Sequence, residues 1–425
     1  MYTVNNENKS GPAGNKYFGM LQVHVVCEIG SRPVENAEVQ VLDKNDTNRV
    51  LVNLITDISG KTMEIELPTP PIEYSLNPSP NQPYAEYQLI INAPGLKTVI
   101  IDSAQLLPGI KTVQPVNMPR RNETDEAPEI IVIGPHFLFG NYPPKLYEDE
   151  IKDDLARTEP VMIPQTVTVH DGLPGDTKAK NYSMCYRDYI KNVASSRIYA
   201  TWPKEAIYAN ILVILSFTLN RFYTGWYKNQ GYDFTITSST AYDQLWIHGR
   251  NIDTNISLAV DYIFNYYLSL PDITQPVLTQ ACAGDSSDCP GMLSLWGSKD
   301  LGDLSYEALD ILRYYYGELI YINYTYNVEN SVTWPGINLT EGSISDDVKN
   351  IQNQLNILSK AYSEIPVSIP DGIYTPSTAD AVRAFQRIFD LPVTGIVDVV
   401  TWYKISCAYA RLTNASGLCG PDGSI

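Results

Sequence analysis

Histidine is scarce in this chain: His24, His136, His170 and His248 are spread over 425 residues in four separate segments. No two stand at ligand spacing and no Cys-x-x-Cys accompanies them, so neither a metal nor another cofactor is expected. Phosphate-cradling glycine loops and the Gly-x-Ser-x-Gly nucleophile turn are also missing. Their absence removes nucleotide hydrolysis and serine acyl transfer from the candidate chemistries.

Basic residues are outnumbered, 30 against 48 acidic, and the net charge of −18 repels nucleic acid and anionic lipid alike. Residues 1–14 are polar and Asn-rich, without a basic start, an apolar stretch and a small-residue cleavage site, so no standard secretory leader is expected. The longest apolar run, Ala206 to Leu219, is interrupted by Asn210, Ser216 and Thr218. It is too short to span a bilayer and reads as a buried helix.

What the chain has in excess is tyrosine, 30 residues against 9 Phe. That ring pairs an apolar face with a hydrogen-bonding tip, which suits either a sugar-binding surface or extensive contacts between domains or subunits. With 44% hydrophobic residues the chain can bury more than one core, and two to four domains are expected. Of the six cysteines, Cys282 and Cys289 bracket a short Gly/Asp/Ser loop, and Cys407 and Cys419 bracket the C-terminal end. Both spacings suit local disulfides, whereas Cys27 and Cys185 read as small core residues.

The pattern divides the chain into a polar tail (1–16), a strand-rich unit (17–119), an acidic Pro-containing connector (120–165), a helical and aromatic unit (166–327), a Pro/Gly/Asn-rich linker (328–341), a helical module (342–412) and a tail (413–425). In the first unit, apolar alternation from Met20 to Met118 is punctuated by Ser59-Gly60 and Pro94-Gly95, which argues an antiparallel β-sandwich of about seven strands. The helical unit predicts helices over Tyr186 to Arg197, from Trp202-Pro203 onward, over Ile256 to Leu268 and over Tyr306 to Tyr315. The last module predicts three: Asp346 to Tyr362, Ser377 to Phe389 and Val399 to Ala410. The whole is thus a multidomain α+β protein.

Three segments carry resemblances. "RPVENAEVQVLD" and "YQLIINAPGLKTVII" resemble transthyretin-like, carboxypeptidase-regulatory domains, which bind or brace. "DDVKNIQNQLNIL" with "DGIYTPSTADAVRAFQRIFDLPVTGIVDVVTWYKI" is similar to the peptidoglycan-binding domain of wall hydrolases. There, Leu355, Val382, Phe385 and Trp402 read as core, and Gln352, Arg383 and Gln386 as candidates for reading glycan or stem peptide. "YRDYIKNVASSRIYATWPKEAIYANILVILSFTLNRFYTGWY" and "GYDFTITSSTAYDQLWIHGRNI" resemble SleC, the spore cortex-lytic enzyme family, with its SpoIID-like lytic transglycosylase region. The resemblance implies a location at the spore cortex or coat or in the extracellular wall. It also implies a removable N-terminal region, cut by an activating protease in the connector near Glu159 to Met162.

A lytic transglycosylase needs one carboxylic acid that gives a proton to the glycosidic oxygen and takes one back from the sugar hydroxyl. The resemblance places that Glu at the end of the first helix of this region, where the chain has Arg197. Arginine stays protonated and cannot shuttle a proton, although its fork can hold a carboxylate. Glu205, Asp243, Asp188 and Asp233 are the alternative candidate carboxylates, and each also has a structural explanation; Glu205, for one, complements a helix N-terminus. By the same resemblance Ser238, Ser239, Thr240 and Gln244 face the glycan. Three readings follow: a catalytically impaired, peptidoglycan-binding wall protein; an active lytic enzyme made as a proenzyme; or a subunit of a homo-oligomeric or larger extracellular assembly.

Overall fold

A computed structural model describes residues 17–27, 32–121, 127–143, 145–146, 160–284, 291–329 and 332–415. Two five-stranded sheets form the N-terminal part. The first is built on β1 (Phe18–Cys27), flanked by β2 (Arg32–Pro33), β5 (Ile65–Pro68) and β8 (Lys111–Met118). The second runs β4 (Asp46–Ile55), β3 (Glu38–Asp43), β6 (Ala85–Asn92), β7 (Val99–Leu106) and β9 (Glu129–Val132), with the short helix α1 (Glu73–Leu76) between β5 and β6. Alternate residues point inward from both: Leu21, Val23 and Val25 of β1 meet Val39, Val41, Leu89, Ile91, Val99 and Ile101 in one core.

Three features depart from the antiparallel sandwich expected over 17–119. β1 pairs with β8 in parallel, Met20 opposite Lys111 through Cys27 opposite Met118, and β7 pairs in parallel with β9. Side-chain alternation has the same period in both orientations, so the sequence does not distinguish them. β9 also lies inside the expected connector, where Ile131 and Ile133 are buried. The first sheet is completed from outside the unit by β13 (Ile252–Asp253), which adds to the edge of β8.

The central part opens with β10 (Thr166–His170) and β11 (Asn181–Cys185), paired antiparallel, with β12 (Ile236–Thr237) alongside β10. Its helices are α2 (Tyr186–Arg197), α3 (Lys204–Thr224), α4 (Thr254–Ile263), α5 (Leu295–Asp303) and α6 (Ala308–Tyr316). Two small sheets lie among them, β14 (Tyr266–Ser269) with β17 (Tyr321–Tyr324) and β15 (Ala281–Cys282) with β16 (Leu293–Ser294). The helix expected over Ile256 to Leu268 therefore ends early, and its Tyr266-Tyr267-Leu268 tail becomes part of β14.

Helix α3 has the length and composition to cross a membrane, but 83% of its apolar window is buried inside the fold. Its polar residues find partners there: Asn210 donates to Ser298 Oγ at 2.8 Å, Ser216 to the Leu212 carbonyl and Asn220 to the Pro276 carbonyl. It is the central beam of this region, and each fully buried Leu, Ile or Phe on it contributes about 1.5–3 kcal/mol. Gly225 ends it at φ 61°, a left-handed cap through which the Trp226 N–H reaches back to the Arg221 carbonyl.

The C-terminal helices are α7 (Asp346–Leu358), α8 (Pro376–Ile388) and α9 (Val399–Ala415). Ser345 caps α7 by accepting from the Val348 N–H, and Pro376 opens α8. Their core is continuous with that of the central part. The stretch 328–341, expected as a linker, contributes buried Trp334 and Leu339, with Trp334 edge-on to Trp402 at 5.7 Å.

Candidate functional site

The last turn of α2 points Arg197 into a cavity of about 350 Å³ between the central helices and the segment that follows β9. Arg197 is 8% exposed, and burial pushes its pKa down to about 10, so it is charged at neutral pH. Nη2 donates to the Ala281 carbonyl at 3.0 Å, the group lies 5.7 Å from the Phe137 ring, and Nε is buried without a partner. Among the described residues no carboxylate pairs with it. Thr240, Asp243 and Gln244 line the same cavity, so four of the residues singled out in the sequence come together.

Among the described residues Asp243 is the one acid in this lining, and its carboxylate is fully occupied. Oδ1 accepts from Arg221 Nε at 2.8 Å, while Oδ2 accepts from Tyr227 Oη at 2.5 Å and from the Thr237 hydroxyl and backbone N–H at 2.7 and 2.9 Å. A carboxylate held by four donors, one of them a buried guanidinium, is a brace between α3 and the loop after β12. Gln244 is likewise committed: its Oε1 accepts from Tyr189 Oη and Thr218 Oγ1, joining α2 to α3. Thr240 donates to the Pro143 carbonyl at 3.3 Å.

The other candidates lie elsewhere. Glu205, in the first turn of α3, accepts the Ala308 N–H at 3.1 Å and thereby satisfies an orphan donor at the start of α6. Asp188 pairs with Arg411 and, at 3.9 Å, with Lys404; Asp233 accepts from Asn181 Nδ2 at 3.1 Å. Ser238 and Ser239 do not line the cavity: the Ser238 N–H donates to the His170 carbonyl, and the Ser239 carbonyl accepts the Asp243 N–H. Sequence reasoning missed Lys145, whose Nζ donates to the Tyr242 and Asp243 carbonyls at the cavity wall. It lies in the stretch read as a connector.

In the C-terminal module, Gln352 on α7 and Gln386 on α8 perform the same task. Each side-chain oxygen accepts a glycine N–H, Gly372 at 3.0 Å and Gly395 at 2.9 Å. Each side-chain nitrogen donates to the next carbonyl, Ile373 and Ile396, both at 2.9 Å, and to a threonine in the first turn of the following helix, Thr378 at 3.0 Å and Thr401 at 3.2 Å. Both amides are buried and spent on turn backbone, so neither is positioned to read glycan as expected. Arg383 remains partly exposed, pairs with Asp380 at 2.8 Å, and lies so close over Gly395 that a Cβ there would sit 2.7 Å from its Nε.

Residues 345–405, which hold this duplicated brace, match the family described as "Putative peptidoglycan binding domain". The chain carries a peptidoglycan-binding module. That match supports a cell-wall binding role with peptidoglycan as partner. No curated protein matches the chain. Two solved structures show small likenesses: the Bacillus anthracis TIE protein is 15% identical with a TM-score of 0.17, covering 24% of this chain and 17% of that one. An Acinetobacter catechol 1,2-dioxygenase inhibited by bound mercury is 14% identical with a TM-score of 0.19, covering 29% and 60%. The chain thus spans less than two thirds of either, and overlaps this slight define no fold.

The peptidoglycan-binding module is fastened on two sides. Against the N-terminal sheets, Lys61 pairs with Asp390 at 2.8 Å and Ser59 donates to Glu364 at 2.6 Å. Against the central helices, Cys407 of α9 is disulfide-bonded to Cys185, which corrects the expected pairing of Cys407 with Cys419 and the reading of Cys185 as a free core thiol. The correction is one of topology: β11 and α9 are neighbours in space across a separation that no local spacing encodes. Cys282 is disulfide-bonded; Cys289 and Cys419 lie outside the described residues, as does Glu159 of the expected cleavage stretch.

Proposed function

We infer that the protein is a peptidoglycan-binding wall component resembling the SleC family, with a glycan-facing cavity that retains the family's position but not its acid. The observation that supports this is the pairing of the peptidoglycan-binding module at 345–405 with a cavity where Arg197 stands at the expected Glu and Asp243, the sole lining acid among the described residues, is consumed by Arg221, Tyr227 and Thr237. Binding is kept; the proton shuttle is not.

In this reading the N-terminal sheets stay with the rest of the protein. Arg250 donates to Gln105 Oε1 at 2.5 Å, Asn251 Nδ2 to the Gln105 carbonyl at 2.6 Å and Thr112 to Asp253 at 2.8 Å, all buried. Removing those sheets would expose these groups and the paired edge of β13. Retention of the full chain on purified sacculi, with product analysis of the same sample, is the test. Co-sedimentation without release of anhydro-muropeptides is expected; release of such products would defeat the impaired-enzyme reading.

A further inference from the structure

We propose that the Arg197 cavity is a binding site for a carboxylate borne on a sugar or short peptide, and that the aromatic cleft adjoining it takes the uncharged body of the same ligand. A guanidinium has five N–H donors, and among the described residues Arg197 uses one, on the Ala281 carbonyl. Its buried Nε is unpartnered, and among the described residues no carboxylate pairs with the group. A buried charge without a counter-ion costs stability, and such a cost is sustained where a ligand supplies the missing partner. Asp243, the acid of the described lining, is already paired with Arg221 and leaves the Arg197 guanidinium to a ligand.

The shape fits the same ligand class. A second, open cleft of about 620 Å³ begins at Ala283, which lines both spaces, and its walls carry Trp296, Tyr314 and Tyr315 with Asp300 among them. Aromatic faces pack against the C–H face of a pyranose, and an acid beside them accepts sugar hydroxyls. A carboxylate on Arg197 would make two parallel hydrogen bonds, which a neutral sugar does not offer.

The ligand class rests on the wall-binding reading, so the test separates the two. The full chain is titrated calorimetrically with N-acetylmuramic acid, whose carboxylate is on the sugar, with N-acetylmuramyl-L-alanyl-D-isoglutamine, whose carboxylate is on the peptide, and with neutral N-acetylglucosamine. At least one acid is expected to bind tenfold or more tighter than N-acetylglucosamine, and whichever does so identifies where the carboxylate is carried. Arg197→Met is expected to abolish that difference and to melt no lower than the parent, because it removes an uncompensated charge. Should that variant not fold, Ala283→Trp, which blocks the junction and leaves Arg197 in place, is expected to weaken the preferred acid by the same factor. Equal binding of acids and N-acetylglucosamine, or acid binding untouched by these substitutions, overturns the proposal. If sacculi are retained while no acid binds, the cavity assignment fails alone; if the acids bind while sacculi are not retained, the wall reading fails and the cavity stands.

Discussion

Cys185 at the start of α2 and Cys407 on α9 are joined by a disulfide across a sequence separation of 222. Around it, Asp188 pairs with Arg411 and Lys404, Arg187 donates to the Val400 carbonyl at 3.2 Å, and Tyr403 packs edge-on to Phe264. One covalent bond and a partly buried ionic cluster therefore fix the peptidoglycan-binding module to the helices that frame the Arg197 cavity. Asp188, Cys185 and Cys407 present three ligand atoms within 4.8 Å, but both sulfurs are spent on each other.

The disulfide closes a long loop, so most of its contribution comes from restricting the unfolded chain. Cys407→Ser is expected to lower unfolding free energy by about 2–5 kcal/mol, measured by denaturant titration. Reduction of the parent, which also opens the bond at Cys282, should cost at least as much. Peptide mapping without reduction should recover a Cys185–Cys407 fragment; a Cys407–Cys419 fragment in its place would contradict the arrangement.

Acid should loosen the seam between the module and the N-terminal sheets. Burial, and then the charge of Lys61, push His24 down to about 4, against the opposing pull of Asp390; Lys111 and Asp57 also face it. An unfolded histidine titrates near 6.5, so between about 6.5 and 4 the unfolded chain binds a proton that the folded one refuses, and stability falls as pH drops through that window. Asp253 acts oppositely: burial raises it to about 6 in spite of Arg250, so its contribution to stability falls as pH rises from about 4 to 6. His24→Gln is expected to remove the first slope and unmask the second. An unchanged stability profile between pH 4 and 6.5 would rule out this role for His24.

Asp243→Asn distinguishes a brace from a catalyst. Removing the charge breaks the fully buried pair with Arg221, and breaking such a pair costs about 3–5 kcal/mol. A large drop in melting temperature is expected, with retention on sacculi reduced only as the fold is lost. A variant that melts like the parent while a measurable lytic activity disappears would return Asp243 to the acid's role.

Elements whose information is local were legible before the structure: α2 begins and ends where the apolar pattern of Tyr186 to Arg197 says, and the strands around Leu21, Val41 and Ile91 follow their alternation. What escaped the sequence is non-local. The parallel pairing of β1 with β8, the loan of β13 to that sheet and the bond between Cys185 and Cys407 each depend on segments meeting across long separations. In the sequence, Gln352 and Gln386 stand out as candidates for reading glycan or stem peptide because a polar residue at a helix edge ordinarily faces outward. Only the turn geometry shows two glycine N–H groups that need them. Arg197, Thr240, Asp243 and Gln244 line one cavity, a convergence of α2 with the loop after β12 that their spacing in the sequence does not encode.

Stability and wall binding should separate cleanly within the module. Around the Asp371–Gly372 turn it exposes Ile344, Ile369 and Ile373, with Ile344 bridged to Ile373, an apolar face that no other part of the described chain covers. Exposed apolar groups of this kind gain most from contact with a partner, and peptidoglycan is the partner the module implies. Ile344→Ser with Ile369→Ser is expected to cut retention on sacculi at least tenfold while shifting unfolding by less than about 0.5 kcal/mol, the usual range for surface substitutions. Gln352→Ala behind the same turn should do the reverse to stability: stranding the Gly372 N–H and the Ile373 carbonyl costs about 1–3 kcal/mol per group. Sedimentation with sacculi and thermal melting on both proteins check this, and a double serine variant that binds like the parent would move the wall-contact face elsewhere, Arg383 being the next place to look.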